Sequence, residues 1–545
     1  MVLQRINQHY PVRYATLHAV TAWAIGATLW WPTHWSLQVL TVLSWGLVGV
    51  GVRDLRQQRH AILRNYPIIG HLRFMLEFIR PEMRQYFIES DTEAAPFSRA
   101  QRSVVYARAK GDSDARPFGT QQDVHAAGYE WLQHAMSPTH IADHHFRVRV
   151  GGPQCSQPYE ISRLNISAMS FGALSANAVL ALNLGARMGG FAHDTGEGSI
   201  SRHHQVHGGD LIWQIGSGYF GCRDEHGQFD AEKFRVSAAS AQVKMVEIKL
   251  SQGAKPGHGG VLPGSKVSAE IAEARGIPEG VTCVSPAQHS AFSSPLELMG
   301  FVTHLRELSG GKPVGLKLCV GHPWEWFALV KAMLHSDITP DFIVVDGGEG
   351  GTGAAPLEFS DHLGMPLWDG LRLVHNALVG AGLRDRVRLG ASGKVITAFD
   401  MARLLALGAD WCNSARGFMF ALGCIQAQHC ASGFCPTGIT TQDPARQRAL
   451  VVDDKAQRVS NFQQNTLKAL KELAEATGLK DPGEFRPEHI MRRLNDHQVI
   501  PLSEWLPSLE PGRLLDASAD GLDGLPPHFQ RYWSRCGAEQ FALLD

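Results

Sequence analysis

Three cysteines carry the densest chemistry in this 545-residue chain. Cys424, Cys430 and Cys435 lie in the run Gly423-Cys-Ile-Gln-Ala-Gln-His-Cys-Ala-Ser-Gly-Phe-Cys-Pro436, a C-x5-C-x4-C spacing closed by proline. Iron prefers soft sulfur ligands, so three thiolates in one short loop suit an iron–sulfur cluster. The spacing is neither the C-x2-C-x2-C of bacterial ferredoxins nor a paired C-x2-C zinc knuckle. Three unrelated buried thiols are the plainer alternative, because free cysteine packs as a small hydrophobe. The remaining cysteines, Cys155, Cys222, Cys283, Cys319, Cys412 and Cys536, are scattered, and the total of 9 is odd. That is no disulfide framework and fits a reducing compartment. Cys412 falls within an apolar run and is expected in a strand, which leaves a three-ligand set rather than four.

A second kind of chemistry resides in glycine. Gly348-Glu-Gly-Gly-Thr-Gly353 matches G-x-G-x-x-G and follows the apolar run Phe342–Asp346. A lone match is weak evidence for a Rossmann site, and this one lies late in the chain. Bare backbone N–H groups at Gly350, Gly351, Thr352 and Gly353 would instead make an anion-binding concavity for a phosphate. Two further small-residue turns, Gly390-Ala-Ser-Gly393 and Ser414-Ala-Arg-Gly417, follow the next two apolar runs. Three such turns fit one monophosphate, with Arg416 supplying charge and Gly393 and Gly417 close approach. His203-His204-x-x-His207 invites a metal, but with no carboxylate or cysteine at ligand spacing it reads as a polar loop.

These groups need a scaffold that presents loops at one end. From Arg163 onward, short apolar runs alternate with glycine-rich turns and helical stretches. The predicted strands are Asn165–Met169, Val246–Leu250, Thr282–Ser285, Val314–Leu318, Phe342–Val345, Val387–Ala391 and Trp411–Ser414. Strands alternating with helices imply parallel βαβ units. The polar and glycine-rich signatures follow the strands one after another, as the loops of a (β/α)8 barrel do. The expected fold is therefore α/β: a TIM barrel over 151–450, preceded by a linker and helical cap over 54–150 and followed by a helical extension over 451–545. A formal net charge of -1 and a pI near 7.1 leave no basic footprint, so nucleic acid is not an expected partner.

The N-terminal 53 residues read as a membrane anchor. No Asp, Glu, Lys or Arg occurs between Arg13 and Arg53, and the stretch divides at Pro32-Thr33-His34. Tyr14–Trp31 and Trp35–Val52 are each about 18 residues, near the lower limit for crossing a ~30 Å hydrocarbon core. Trp30, Trp31 and Trp35 cluster where an aromatic belt would lie. Arg5 and Arg13 on one side and Arg53, Arg56, Arg59 and Arg64 on the other place both flanks in the cytoplasm. The expectation is a two-helix transmembrane hairpin in the inner (cytoplasmic) membrane, with membrane lipid as a partner and the catalytic domain in the cytoplasm. A buried soluble hairpin is the alternative.

Several blocks resemble the FMN-binding domain of glutamate synthase. They are Met169-Ser-Phe-Gly-Ala-Leu-Ser175, Asp194-Thr-Gly-Glu-Gly198, Glu247-Ile-Lys-Leu-Ser-Gln-Gly-Ala-Lys-Pro-Gly257, Leu262-Pro-Gly-Ser-Lys-Val267, Asp346-Gly-Gly-Glu-Gly-Gly-Thr-Gly-Ala-Ala-Pro356 and Cys424 to Gln442. They run in family order over about 160–445, and the cysteine spacing matches the family's three-iron cluster. The resemblance implies a (β/α)8 barrel holding FMN beside a [3Fe-4S] cluster. It also implies electrons passing through the cluster to the flavin, which reduces an imine of 2-oxoglutarate to glutamate. The apolar N-terminus resembles the shorter, membrane-anchored relatives. The family's large members open with a glutaminase domain whose first residue is a nucleophilic Cys. This sequence begins Met1-Val2, so ammonia or an amine is expected from outside the chain, and electrons from a ferredoxin or a reductase subunit. The family loop Gly-Gly-Gln-Leu-Pro-Gly, whose Gln helps bind the oxoacid, reads here with Val261 in place of Gln, which bears on whether 2-oxoglutarate itself is the substrate.

By that resemblance Lys255 and Arg275 hold the oxoacid, Glu197 orients the amine or the flavin, and Ser170 joins the cofactor site. Lys317 interrupts an apolar strand and would place positive charge against the flavin ring. The expected activity is reductive amination by an oxidoreductase acting at CH-NH2, in amino-acid or glutamate biosynthesis. Alternatives are an N-alkylglutamate synthase-like enzyme, a membrane-bound FMN/iron–sulfur electron relay, or a non-redox metal-binding scaffold.

Overall fold

Eight short parallel strands close on themselves in the computed structural model, which describes residues 10–31, 33–93, 95–257, 259–515 and 522–544. In chain order they are β1 (Leu164–Ile166), β2 (His193–Asp194), β3 (Leu211–Ile215), β4 (Val243–Lys249), β5 (Val314–Leu318), β6 (Phe342–Asp346), β7 (Arg388–Ser392) and β8 (Trp411–Ser414). Each pairs with the next, and β8 returns to β1 through Cys412 opposite Leu164 and Ser414 opposite Ile166. Parallel strands are covered on both faces, and period-2 alternation divides each one. Val246, Ile248, Ile343, Val345 and Leu389 join the large core shared with the surrounding helices. The alternate positions Ile212, Met245, Phe342, Val344 and Trp411 form a separate apolar cluster inside the barrel.

That inner cluster is sealed at the N-terminal end by an antiparallel hairpin, Arg147–Val150 with Tyr159–Ser162, whose Val148, Val150 and Ile161 pack into it. Gly390 makes room for the indole: a Cβ there would lie 2.7 Å from Trp411. Further along the same inward positions the side chains turn polar, with Gln214, Glu247, Lys317 and Asp346. The barrel is thus apolar at one end and ionised at the other.

The helices begin where side chains cap them. Ser175, Asp230, Ser294 and Thr397 each accept a backbone N–H of the following first turn, satisfying donors that a helix leaves open. Outside the barrel, helix Arg99–Lys110 is tied to helix Val452–Thr477 through Asn461 to Ala109 (3.1 Å) and Asn465 to Arg108 (2.9 Å). Glu130–Leu132 pairs with Ile490–Arg493, and that strand with Val499–Pro501. Residues 95–545 form one compact unit and residues 1–94 another. The segments on either side of the barrel sequence therefore pack together, and the C-terminal segment supplies strands as well as helices.

Six of the seven predicted strands are barrel strands, with ends shifted by a few residues. Thr282–Ser285 is not. Only Cys283–Val284 is extended, and it pairs antiparallel with Val261–Leu262 in an insertion between β4 and β5. β2 and β3 were not anticipated. The first is two residues long and polar, too short to display a period; the second is fully buried and follows Gly208-Gly209.

In the N-terminal unit, helix Trp35–Arg56 has 22 residues and is long and apolar enough to cross a membrane. Helix Ala15–Leu29 has 15 residues, a rise of roughly 22 Å against a core of about 30 Å. Among the described residues one helix meets the length of a span, and the second arm of the expected hairpin falls short. The two helices touch through Trp45 Nε1 donating to Thr28 Oγ1 at 2.9 Å. Arg5, Pro32 and the Met1-Val2 start lie outside the described residues.

Candidate functional site

Charge gathers at the C-terminal ends of the strands. Asp194 ends β2, Glu247 and Lys249 end β4, Lys317 is next to last in β5, and Asp346 ends β6. Barrel loops at this end carry the chemistry of such folds. Glu197, in the loop after β2, forms an ion pair with Lys249 Nζ at 3.1 Å. Burial alone would raise the Glu197 carboxyl, but Lys249, with Arg275 and Lys255 beyond it, holds it below its ordinary value. Lys255 is buried, and burial pulls its ammonium down while Glu197 opposes that.

Glu197, Ser217, Lys249, Lys255 and the backbone of Gly257, Gly259 and Gly260 line a partly open cavity. Gly260 allows the close approach that forms it, since a Cβ there would stand 2.3 Å from Glu197 Oε1. His289 backs the wall, its ring bonded to the Lys249 carbonyl (2.9 Å) and to the Tyr219 hydroxyl (3.1 Å). Burial pushes His289 down to about 4, so it is neutral near pH 7.

Beneath this cavity lies a second ionic layer. Gln214 Nε2 donates to Glu247 Oε1 at 2.6 Å, and Gly196 N donates to Asp194 Oδ1 at 2.9 Å. Asp194 Oδ2 and Glu247 Oε2 are buried without another hydrogen-bond partner, and each carboxyl acts on the other's titration. Burial pushes Asp194 up to about 6 and Glu247 well above the carboxylate range, the latter also through repulsion by Asp194. Two carboxyls in contact without water retain a proton between them. Lys317 stands 3.8 Å from Asp346. Burial would lower its ammonium, but Asp346, Glu247 and Asp194 together keep it above its usual value.

The cysteine loop borders the glycine loop. Cys424, Cys430 and Cys435 line one cavity together with Met419, Thr437 and Thr440. Among the described residues no three His, Cys, Asp or Glu side chains converge on a single ion. A cluster of several irons holds its ligands farther apart than one ion does, so three cysteines around a shared cavity fit a cluster better. Burial would raise the Cys435 thiol, yet hydrogen bonds from Thr437 and Thr440 bring it down to about 7, toward the thiolate form that metals bind in general. Gln426 and Gln428 both sit in the left-handed region, at φ 58°, which keeps the loop tight. Lys266 Nζ donates to the Cys430 carbonyl at 2.7 Å, and Tyr106 to that of Cys424 at 2.5 Å. A Cβ on Gly353 would lie 3.5 Å from Cys430 Cβ, so the turn after β6 passes directly beside the cysteines. Cys412 is buried in β8 and does not line the cavity.

Comparison with known proteins decides the family. The conserved region in glutamate synthase matches residues 139–480. The glutamate synthase large subunit-like protein YerD of Bacillus subtilis is 39% identical over 490 residues, covering 82% of this chain and 93% of that protein. The chain belongs to the glutamate synthase family. As a member it is an oxidoreductase. An archaeal glutamate synthase [NADPH] of Methanocaldococcus jannaschii is 38% identical over 315 residues, 58% of each chain. Among solved structures, a mandelate oxidase matches with 14% identity over 74% of this chain and 97% of the other, at a TM-score of 0.41, which adds nothing to the barrel described above.

Within this family member the anticipated residues divide into groups. Lys255 and Glu197 share the upper cavity. Arg275 does not line it; its Nη2 donates to the Phe171 carbonyl at 3.2 Å and its guanidinium lies 5.1 Å from the Phe220 ring centre, behind the Glu197 loop. Arg416 turns toward the cysteines, with Nη1 3.8 Å from Cys430 Sγ. Gly350, Gly351, Thr352 and Gly353 follow β6, Gly393 follows β7, and Gly417 follows β8. Ser170 lies after β1, where a Cβ on Gly196 would meet its backbone N at 2.7 Å. Val261 is in the inserted hairpin and not in the cavity wall. His203 pairs with Glu270 and His204 with the capping Ser201, so the expected polar loop is instead the short helix Arg202–Gln205, held by hydrogen bonds. Sequence reasoning did not single out Lys249, Asp194, Glu247, Asp346 or His289. Glu247 and Asp346 had a usable signal: each is charged and stands at the C-terminal end of an apolar run.

Proposed function

We propose that the protein reduces the imine formed between a 2-oxo acid and an amine, giving an amino acid, with FMN and a [3Fe-4S] cluster as its cofactors. The observation that carries this reading is the cavity of Lys255, Lys249 and Glu197, which opens among loops that continue past the β6 glycine turn to three cysteines. A dicarboxylic oxoacid such as 2-oxoglutarate, or an analogue of it, needs cations and a dry pocket, and an amine needs an acceptor. Lys255 would bind the carboxylate, Glu197 would orient the amine nitrogen, and the Lys249 pair would keep Glu197 ionised. Arg275, behind the same loop, adds positive potential to the cavity.

The residues fit both cofactors. The turns at Gly351–Gly353, Gly393 and Gly417 would give backbone N–H groups to a monophosphate, with the Gly350 N–H closing the turn onto the Gly347 carbonyl at 2.9 Å, and Ser170 and Lys317 would contact the ring system. Cys424, Cys430 and Cys435 would hold the irons. When bound, the flavin supplies the hydride and the cluster the electrons that renew it. The ammonia or amine and the electrons, from a ferredoxin or a reductase subunit, would come from other molecules. We further infer that Trp35–Arg56 spans the cytoplasmic membrane, with the Arg53–Arg64 side in the cytoplasm by the positive-inside rule.

The test is cofactor content followed by turnover. Heat should release FMN, not FAD, from the purified protein, and Cys424→Ser should lose iron while keeping FMN, because the flavin turns belong to other loops. Retention of iron in Cys424→Ser, or mostly FAD in the released flavin, would overturn the assignment. A panel of oxoacids and amines with an artificial reductant then identifies the substrate pair.

A further inference from the structure

We propose that helix Gly70–Met83 lies in the surface of the membrane that Trp35–Arg56 crosses, as a second, in-plane lipid contact. The proposal rests on the reading of Trp35–Arg56 as a span. Five large apolar side chains, Leu72, Met75, Leu76, Ile79 and Met83, recur at i, i+3, i+4, i+7 and i+11 and form one stripe. All five are exposed, from 36% for Ile79 to 53% for Met75 and Leu76. A stripe of this kind is normally buried against a core, and here, among the described residues of the N-terminal unit, it stays exposed. One flank carries Arg73, Glu77 and Arg80, with Glu77 4.0 Å from each arginine, and on the other side the exposed Phe74 and Phe78 widen the apolar surface.

Position selects lipid as the occupant. Asp54, in the last turn of Trp35–Arg56, is buried and accepts from the Ile68 backbone N at 3.0 Å and from His71 Nε2 at 2.9 Å. Ile68 sits at φ 67°, a sharp reversal just before the helix. The stripe therefore starts at the end of the span, which is where headgroups meet water. Charge agrees: from Arg53 to Arg84 there are 7 arginines against 3 acidic residues, the balance that anionic headgroups attract. An apolar face with a basic flank and modest overall hydrophobicity is the pattern of helices that lie in the interface rather than cross it.

The test uses the full chain in vesicles of phosphatidylethanolamine and phosphatidylglycerol containing a trace of phosphatidylcholine with a diazirine in its acyl chain. After irradiation and digestion, the peptides bearing Leu72–Met83 should carry lipid, as should Trp35–Arg56. Leu72→Gln, Met75→Gln and Ile79→Gln together keep helix-forming residues while removing the stripe, and should cut labelling of that peptide at least tenfold with Trp35–Arg56 labelled as before. Lipid on Trp35–Arg56 alone in the unmodified chain would overturn the proposal and leave the stripe to a second copy, seen as a dimer in detergent that the Gln variant loses. Lipid on neither segment would overturn the span as well.

Discussion

The two ends of the barrel interior are built from the same strands by the same alternation, yet they answer to different physics. At the N-terminal end, Ile212, Met245, Phe342, Val344 and Trp411 pack against a hairpin and exclude water. A few ångströms further along the barrel, Asp194, Glu247 and Lys317 are buried and Asp346 half-buried, and these groups are charged or share a proton. Apolar burial is favourable wherever it occurs, whereas buried charge costs several kcal/mol per ion unless it is paired. An ionic layer of this kind is therefore weak evidence for stability and good evidence for a site. One end holds the barrel closed, and the other holds a ligand.

That division can be broken by substitution. The largest effect is expected at the apolar end: Trp411→Ala should cost about 3–5 kcal/mol of stability, as removal of a buried aromatic does. The midpoint of urea unfolding measures it, and flavin bound per folded protein should not change. At the ionic end the effect should move to chemistry. Lys255→Ala and Arg275→Lys should each lower kcat/KM for a dicarboxylic oxoacid by roughly 30- to 1000-fold, about 2–4 kcal/mol of transition-state binding, with FMN and iron retained. Arg275 acts from behind the Glu197 loop, so its effect is expected to be the smaller of the two. Steady-state kinetics on both variants, alongside their cofactor content, separates the roles.

The smallest effect is a dependence on pH that the apolar end cannot produce. Asp194 in the fold is pushed up to about 6 by burial, above an unfolded carboxyl near 4. The folded chain then binds more protons than the unfolded one between those values, so stability falls as pH rises through that window. Lys317 and Lys249 oppose the raised value, Asp346 and Glu197 partly offset those lysines, and the net fall is limited to roughly 1–3 kcal/mol. Glu247→Gln should reduce it, because that buried carboxyl, itself pushed well above its ordinary value, no longer titrates. Urea midpoints at pH 5 and pH 7 for both proteins provide the check.

Legibility in the sequence followed the same contrast. The outward faces of β4 to β8 are apolar and regularly spaced, so the runs Val314–Leu318, Phe342–Val345 and Trp411–Ser414 could be read directly. Asp194 sits in a two-residue strand whose identity depends on its neighbours in space, and no periodicity reveals it. Thr282–Ser285 failed for the opposite reason: a short apolar alternation belongs equally to a surface hairpin, and only tertiary context tells the two apart. The cysteine and glycine motifs could be read because their chemistry is local. Lys249 could not be picked out, because its partner Glu197 lies on another strand's loop. The stripe on Gly70–Met83 was hidden inside a segment that reads as polar on average, since averaging conceals one-sidedness.

The central claim is that the ionic end of the barrel converts an oxoacid and an amine into an amino acid. The direct test is a single turnover in which protein reduced with dithionite, freed of excess reductant, is mixed anaerobically with 2-oxoglutarate and ammonia or methylamine. The account predicts that the flavin absorption returns and that glutamate or its N-methyl derivative forms in proportion to reduced flavin. No return of absorption with any oxoacid and amine, in protein that an artificial oxidant promptly reoxidises, would contradict it.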